Sequence, residues 1–176
     1  MKQKYLECGK AVNTHGVRGA LRVESYCDTP ETLAKLRTVY VLEDGEYRPV
    51  RVISSSVHKN SVLMYVEGVD TLEKAIVMKG TLLYADRADF RLKKGDVFIA
   101  DLIGLPVIDL ETGEKIGVLD EVITPGGREV YMVRNGDGTR FMIPAVGEFI
   151  KEIRTEGDGE GVYVRLIDGM RENTCV

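Results

Sequence analysis

The stretch NTHGVRG, from Asn13 to Gly19, brings an imidazole, a guanidinium and two glycines into seven residues. These are the groups that proton transfer or anion binding would use. His15 could move a proton, Arg18 could grip a phosphate or carboxylate through two parallel hydrogen bonds, and Lys10 and Arg22 could strengthen the same field. Catalysis would need more: no carboxylate stands close in sequence to orient His15, and no nucleophile is evident. His58, the second histidine, lies in the polar run SSVHKNS and reads as a surface turn residue. GKAVNTHG has the glycine and lysine of a phosphate loop, without its spacing or the hydroxyl after lysine, and GxSxG, HExxH and GxGxxG are all absent. Nucleotide triphosphate hydrolysis therefore has no support. Cys8, Cys27 and Cys175 are scattered, with no CxxC pair and no histidine at ligand spacing, so they read as reduced, structurally incidental thiols. No metal and no cofactor is expected.

Glycine at positions 16 and 19 permits a loop between a strand ending near Val12 and one starting near Ala20, with His15 and Arg18 on its rim. The elements around it read as short strands. KYLECGKAV, ALRVESY, TVYVL, YRPVRVISSSV and SVLMYVEGV are rich in Val, Leu, Ile and Tyr and often alternate with polar residues. EDGEY and the HKN before Ser61 read as hairpin turns, because Asp-Gly and Asn tolerate left-handed backbone. Two brief helices interrupt the pattern. In DTPETLAKL, Asp28 or Thr29 caps and Pro30 begins the helix; in DTLEKAIVMKG, Asp70 caps, Glu73 completes a capping box and Gly80 closes the end. Both are too short to carry a core and read as lids over a sheet or barrel opening.

ADRADFRLKKGD is charged and lacks apolar periodicity, so residues 86–95 read as a linker between domains at 1–85 and 96–176. Strands resume in DLIGLPVIDL, EKIGVLDEVI, REVYMVRN, TRFMIPAV and GVYVRLI, parted by the glycine-bearing turns ETGE, TPGG, NGDG and EGDGEG. GEFIKEI reads as a short helical turn. The fold class is thus mainly β, as two small β-barrel domains with few short helices. The absence of alternating strands and long helices excludes a doubly wound sheet.

The 176 residues are 44% hydrophobic and 30% charged, ordinary globular composition. No apolar run approaches the ~20 residues that span a bilayer, and MKQKYLECGK lacks a secretory apolar segment, so a cytoplasmic chain without membrane contact is expected; a monomer is expected as well. The net charge of -4 is unevenly spread. Residues 1–94 hold 16 Lys and Arg against 12 Asp and Glu, a net of +4; the remainder holds 8 against 16, a net of -8. A basic first half could face phosphates, and an acidic second half could face a basic protein.

GKAVNTHGVRGALRVESY resembles the amino-terminal signature of the RimM family of ribosome maturation factors, and DLIGLPVIDLETGEKIGVLDEV resembles the start of that family's PRC-barrel domain. REVYMV, FMIPAVGEFIKEI and VRLIDGM follow in the family's order, so the resemblance covers nearly the whole chain. It implies a six-stranded barrel like those of translation factors, joined to a PRC barrel. It also implies a non-enzymatic assembly chaperone that binds the immature small (30S) ribosomal subunit and ribosomal protein S19, and assists head assembly and 16S rRNA processing. The family commonly carries two tyrosines and a tryptophan before DLIG, an element important for ribosome binding; Val97, Phe98 and Ile99 stand there in this chain. They are the expected ribosomal-protein contact, or else the first core strand of the barrel. Lys10, His15, Arg18 and Arg22 are the expected rRNA or subunit contacts. Two other readings remain open at this point: an enzyme acting on RNA or a small molecule through His15 and Arg18, and a PRC-barrel adaptor for a non-ribosomal partner.

Overall fold

The computed structural model describes residues 2–92, 95–172 and 174–175, the last two as backbone. It divides into two compact units, Met1–Arg91 and Leu92–Val176. Among the described residues no helix is long and apolar enough to cross a membrane.

In the first unit, β1 (Tyr5–His15), β2 (Ala20–Ser25), β3 (Thr38–Glu43), β4 (Glu46–His58), β5 (Ser61–Val66) and β6 (Leu82–Asp86) close into a barrel of order β1-β2-β5-β4-β3-β6. Its neighbouring strands all run antiparallel. Closure leaves no free edge to pair with another chain. Strict alternation builds the core: in β5, Val62, Met64 and Val66 point inward, and in β6, Leu83 and Ala85 do so. Each fully buried Val or Leu contributes about 1.5–3 kcal/mol of transfer free energy. The β3–β4 turn is Asp44-Gly45, both left-handed (φ 50° and 82°), which matches the strand twist. In the β4–β5 turn Lys59 is the left-handed residue (φ 56°), not the asparagine expected there.

Both short helices form, within narrower bounds than the sequence suggested. In α1 (Pro30–Ala34), Leu33 is completely buried in the barrel core, and Ser55 Oγ on β4 donates to the Ala34 carbonyl at 2.5 Å. Thr29 occupies its cap position without a side-chain cap bond. α2 (Leu72–Val77) is capped by Thr71, whose hydroxyl accepts from the Lys74 amide, rather than by Asp70. Asp70 instead pairs with Lys74 Nζ at 2.6 Å, one helical turn on, and that hydrogen bond holds its carboxyl below the usual range. Between 86 and 91 the chain is no free connection: Asp86 ends β6, a 3₁₀ turn spans Arg87–Asp89, and Phe90 packs against the first core.

The second unit holds α3 (Ile99–Leu102), β7 (Pro106–Asp109), β8 (Lys115–Ile123), β9 (Val130–Arg134), β10 (Arg140–Pro144), β11 (Ile150–Arg154), β12 (Gly161–Val164) and β13 (Thr174–Cys175). Its strands form one sheet of order β11-β12-β7-β8-β9-β10-β13, antiparallel except where β12 meets β7. Val107, Leu119, Tyr131, Val133, Phe141 and Val164 lie in its core. Two expectations are corrected here. DLIG is not strand but the end of α3 and the turn after it, because Leu102 folds into the core while Gly104, left-handed at φ 90°, donates to the Leu119 carbonyl and ends the helix. FIKEI is not helical: Ile150–Arg154 is a strand entered through a tight turn.

Candidate nucleic-acid and protein interfaces

β1 runs three residues further than expected, through His15, which lies opposite Ala20; the connecting loop is only residues 16–19. Gly19 is forced by close approach. Its φ is 76°, and a Cβ there would lie 2.7 Å from the Val69 carbonyl oxygen and 2.9 Å from that of Thr71. The loop is thereby clasped against the entry to α2. Gly16 is also left-handed (φ 67°) but faces open space.

This clasp presents Val17 and Arg18 to solvent, Val17 being 79% exposed. Lys10 and Arg22 point outward from the wall of the barrel, since Ala11, Leu21 and Val23 beside them face inward. Lys10 stands opposite Glu24, and Arg22 opposite Asn13 and Leu63. Arg22 is half-buried, and its Nε is shut off from solvent with no hydrogen-bond partner among the described residues. The four expected contacts do not converge on one point: five residues of strand place Lys10 about 17 Å from His15. A single small anion cannot bridge that span, whereas a polyanion can. The structure does bring one unexpected residue to His15: the His58 ring, from the end of β4, lies 6.0 Å away, centroid to centroid. His58 had no local signal in the sequence, because the approach joins two strands that are not neighbours in the barrel.

The second candidate site precedes β7. Val97 and Phe98 form an extended lead-in outside the sheet, and Ile99 opens α3, so these residues are not the first core strand. Their burial differs. Val97 packs against the second core, Phe98 is half-buried, and Ile99 is 46% exposed. Ile103, which donates its amide to the Ile99 carbonyl, is 44% exposed on the same turn. Ile99, at one of the three positions where the family resemblance expects aromatic rings, thus shares an exposed turn with Ile103 from the DLIG segment that follows.

His15 has no carboxylate bonded to it among the described residues, and none of those residues form a metal-binding cluster of His, Cys, Asp or Glu. Cys8 is buried and donates its thiol to the Leu83 carbonyl at 3.3 Å. Burial pushes that thiol up to about 12, far from reactive thiolate. Cys27 is raised for the same reason, and the Cys175 side chain lies outside the described residues.

Two family models match in chain order: the RimM N-terminal domain over residues 6–90 and the RimM PRC barrel domain over residues 99–158. The class is therefore a two-domain, mainly β protein with an amino-terminal barrel followed by a PRC barrel. The chain belongs to the RimM family. It is similar to the ribosome maturation factor RimM of Ruminiclostridium cellulolyticum, at 36% identity over 87% of this chain and 90% of that protein. It is likewise similar to the one of Clostridioides difficile, at 34% identity over 97% and 99%. Among solved structures, the N-terminal domain of RimM from Thermus thermophilus is 22% identical, covering 51% of this chain and 98% of that one with a TM-score of 0.42.

Proposed function

We propose that this chain is a ribosome maturation factor working by binding rather than catalysis. On this reading it engages the immature 30S subunit, holds ribosomal protein S19 through the second unit, and assists head assembly and 16S rRNA processing. The observation that carries the reading is the match of both family domains, in order, to relatives named as ribosome maturation factors.

The geometry supports a division of labour. Lys10, His15, Arg18 and Arg22 spread along one β-ribbon, a spacing suited to an extended phosphate backbone, and His58 adds a second imidazole at its far end. The acidic half, with a net of -8, suits a basic ribosomal protein, and Ile99 with Phe98 offers it an apolar anchor. Binding of this kind acts by population shift: a factor that prefers one conformation of the immature head enriches it by its difference in affinity for the competing states. The chain's own residues need no cofactor for that.

Calorimetry with purified S19 tests the protein contact. Phe98→Ala and Ile99→Ala are each expected to weaken binding by about 1–2 kcal/mol, the usual effect of truncating an apolar interface anchor. Unchanged affinity in both variants would remove Phe98 and Ile99 from the interface.

A further inference from the structure

On the outside of the barrel, four tyrosines from four strands touch one another. Tyr5 lies 4.6 Å from Tyr40 and 4.4 Å from Tyr47, and Tyr47 meets Tyr84 edge-on at 5.0 Å. The register explains the cluster, since Tyr40 is directly opposite Tyr84, and their neighbours Val39, Val41, Leu83 and Ala85 face the core. Ring pairs on a sheet face can be packing alone. This face, however, is not sealed: Tyr47 is 37% exposed, and its cross-strand partner Leu42 is 47% exposed.

The charges around the rings say what would cover them. Glu7 lies opposite Tyr84 and Asp86 opposite Tyr5, and Asp89 also acts on the Tyr40 phenol. One cation already occupies the spot: Lys4 Nζ sits 5.1 Å from the Tyr5 ring centre and 3.9 Å from the Asp86 carboxylate. Rings framed by carboxylates attract ammonium and guanidinium groups by cation–π and ionic forces together. They repel phosphates, so the net +4 of the first half does not make this face an RNA platform.

We propose that the Tyr5, Tyr40, Tyr47, Tyr84 face binds an extended lysine- or arginine-rich segment of a partner protein, whose cations take the place Lys4 holds in the free chain. Its residues are distinct from the contacts assigned under the proposed function, so either assignment can fail alone.

Fluorescence anisotropy with the full chain and a labelled peptide of alternating Arg and Gly tests it. Tyr47→Leu keeps apolar bulk and charge but removes one ring, and it is expected to weaken binding about two- to five-fold, the range for an exposed cation–π contact. Lys4→Ala removes the internal competitor and is expected to tighten binding. A labelled oligouridine should bind equally to the parent and to Tyr47→Leu. Peptide attraction to the acidic second half is common to all variants, so it shrinks these ratios towards one without changing their direction. Equal peptide affinity of parent and folded Tyr47→Leu, weaker binding by Lys4→Ala, or Tyr47-dependent oligouridine binding would each overturn the proposal. Circular dichroism establishes that Tyr47→Leu is folded; if it is not, the sign of the Lys4→Ala effect decides.

Discussion

Replacing Gly19 with alanine should damage the barrel more than the same change at Gly16, and the difference can be worked out from the loop. Both glycines are left-handed, at φ 67° and 76°, and an L-residue there costs roughly 1–2 kcal/mol. Alanine also restricts the unfolded chain, which offsets about 0.4–1 kcal/mol. Gly16→Ala meets nothing within 4 Å, so its net loss should be near ~1 kcal/mol. At Gly19 the new Cβ would stand 2.7 Å from one carbonyl oxygen and 2.9 Å from another. Both are backbone atoms that cannot swing aside, and overpacking of this kind adds about 1–3 kcal/mol. Urea unfolding followed by tyrosine fluorescence is weighted towards the right unit, because the chain has no tryptophan and six of its eight tyrosines, Tyr5, Tyr26, Tyr40, Tyr47, Tyr65 and Tyr84, precede the second unit. The expected result is a clearly lower midpoint for Gly19→Ala than for Gly16→Ala. Equal midpoints would mean that the loop is not clasped against the entry to α2, and the placement of Arg18 would lose its structural basis.

Charge reversal by Arg18→Glu should weaken association with rRNA or small subunits and flatten the log–log salt dependence by at least about one phosphate's contribution; binding measured across a salt series checks this, and an unchanged slope would exclude Arg18 from the contact. Cys8 should resist iodoacetamide in the folded protein at pH 8 and react on unfolding, because burial pushes its thiol up to about 12. The same shift sets a stability effect. An unfolded thiol ionises near 9.0, so the contribution of Cys8 is intact below that pH and is lost as pH rises towards 12. Cys8→Ala should lose less stability than the parent over that window, as denaturant titrations at pH 8 and pH 10.5 would reveal.

Much of the fold was legible wherever one face of a strand is buried. The alternation of SVLMYV maps directly onto the burial of β5, and Asp44-Gly45 forms the turn its residue types require. The sequence misled where a local irregularity mimicked another period. Ile150 and Ile153 are spaced like a helix, yet both pack against the second core from a strand, because a register shift between Ile150 and Glu152 changes which face the later residues of β11 present. DLIG carries apolar residues too closely spaced to separate a strand from one turn of helix. At the candidate sites, residue types were readable and juxtapositions were not. Arg18 and His15 stand out in their own loop, but the approach of His58 and the four-strand tyrosine cluster exist only once the barrel closes. The family's aromatic element had a visible replacement in Val97, Phe98 and Ile99, whereas the exposed partner Ile103 emerged only with α3.

Co-sedimentation of the full chain with immature and mature small subunits tests the central claim most directly. The account predicts selective recovery with the immature particle, weakening as salt is raised. Absence of binding, or equal binding to both particles, would contradict it.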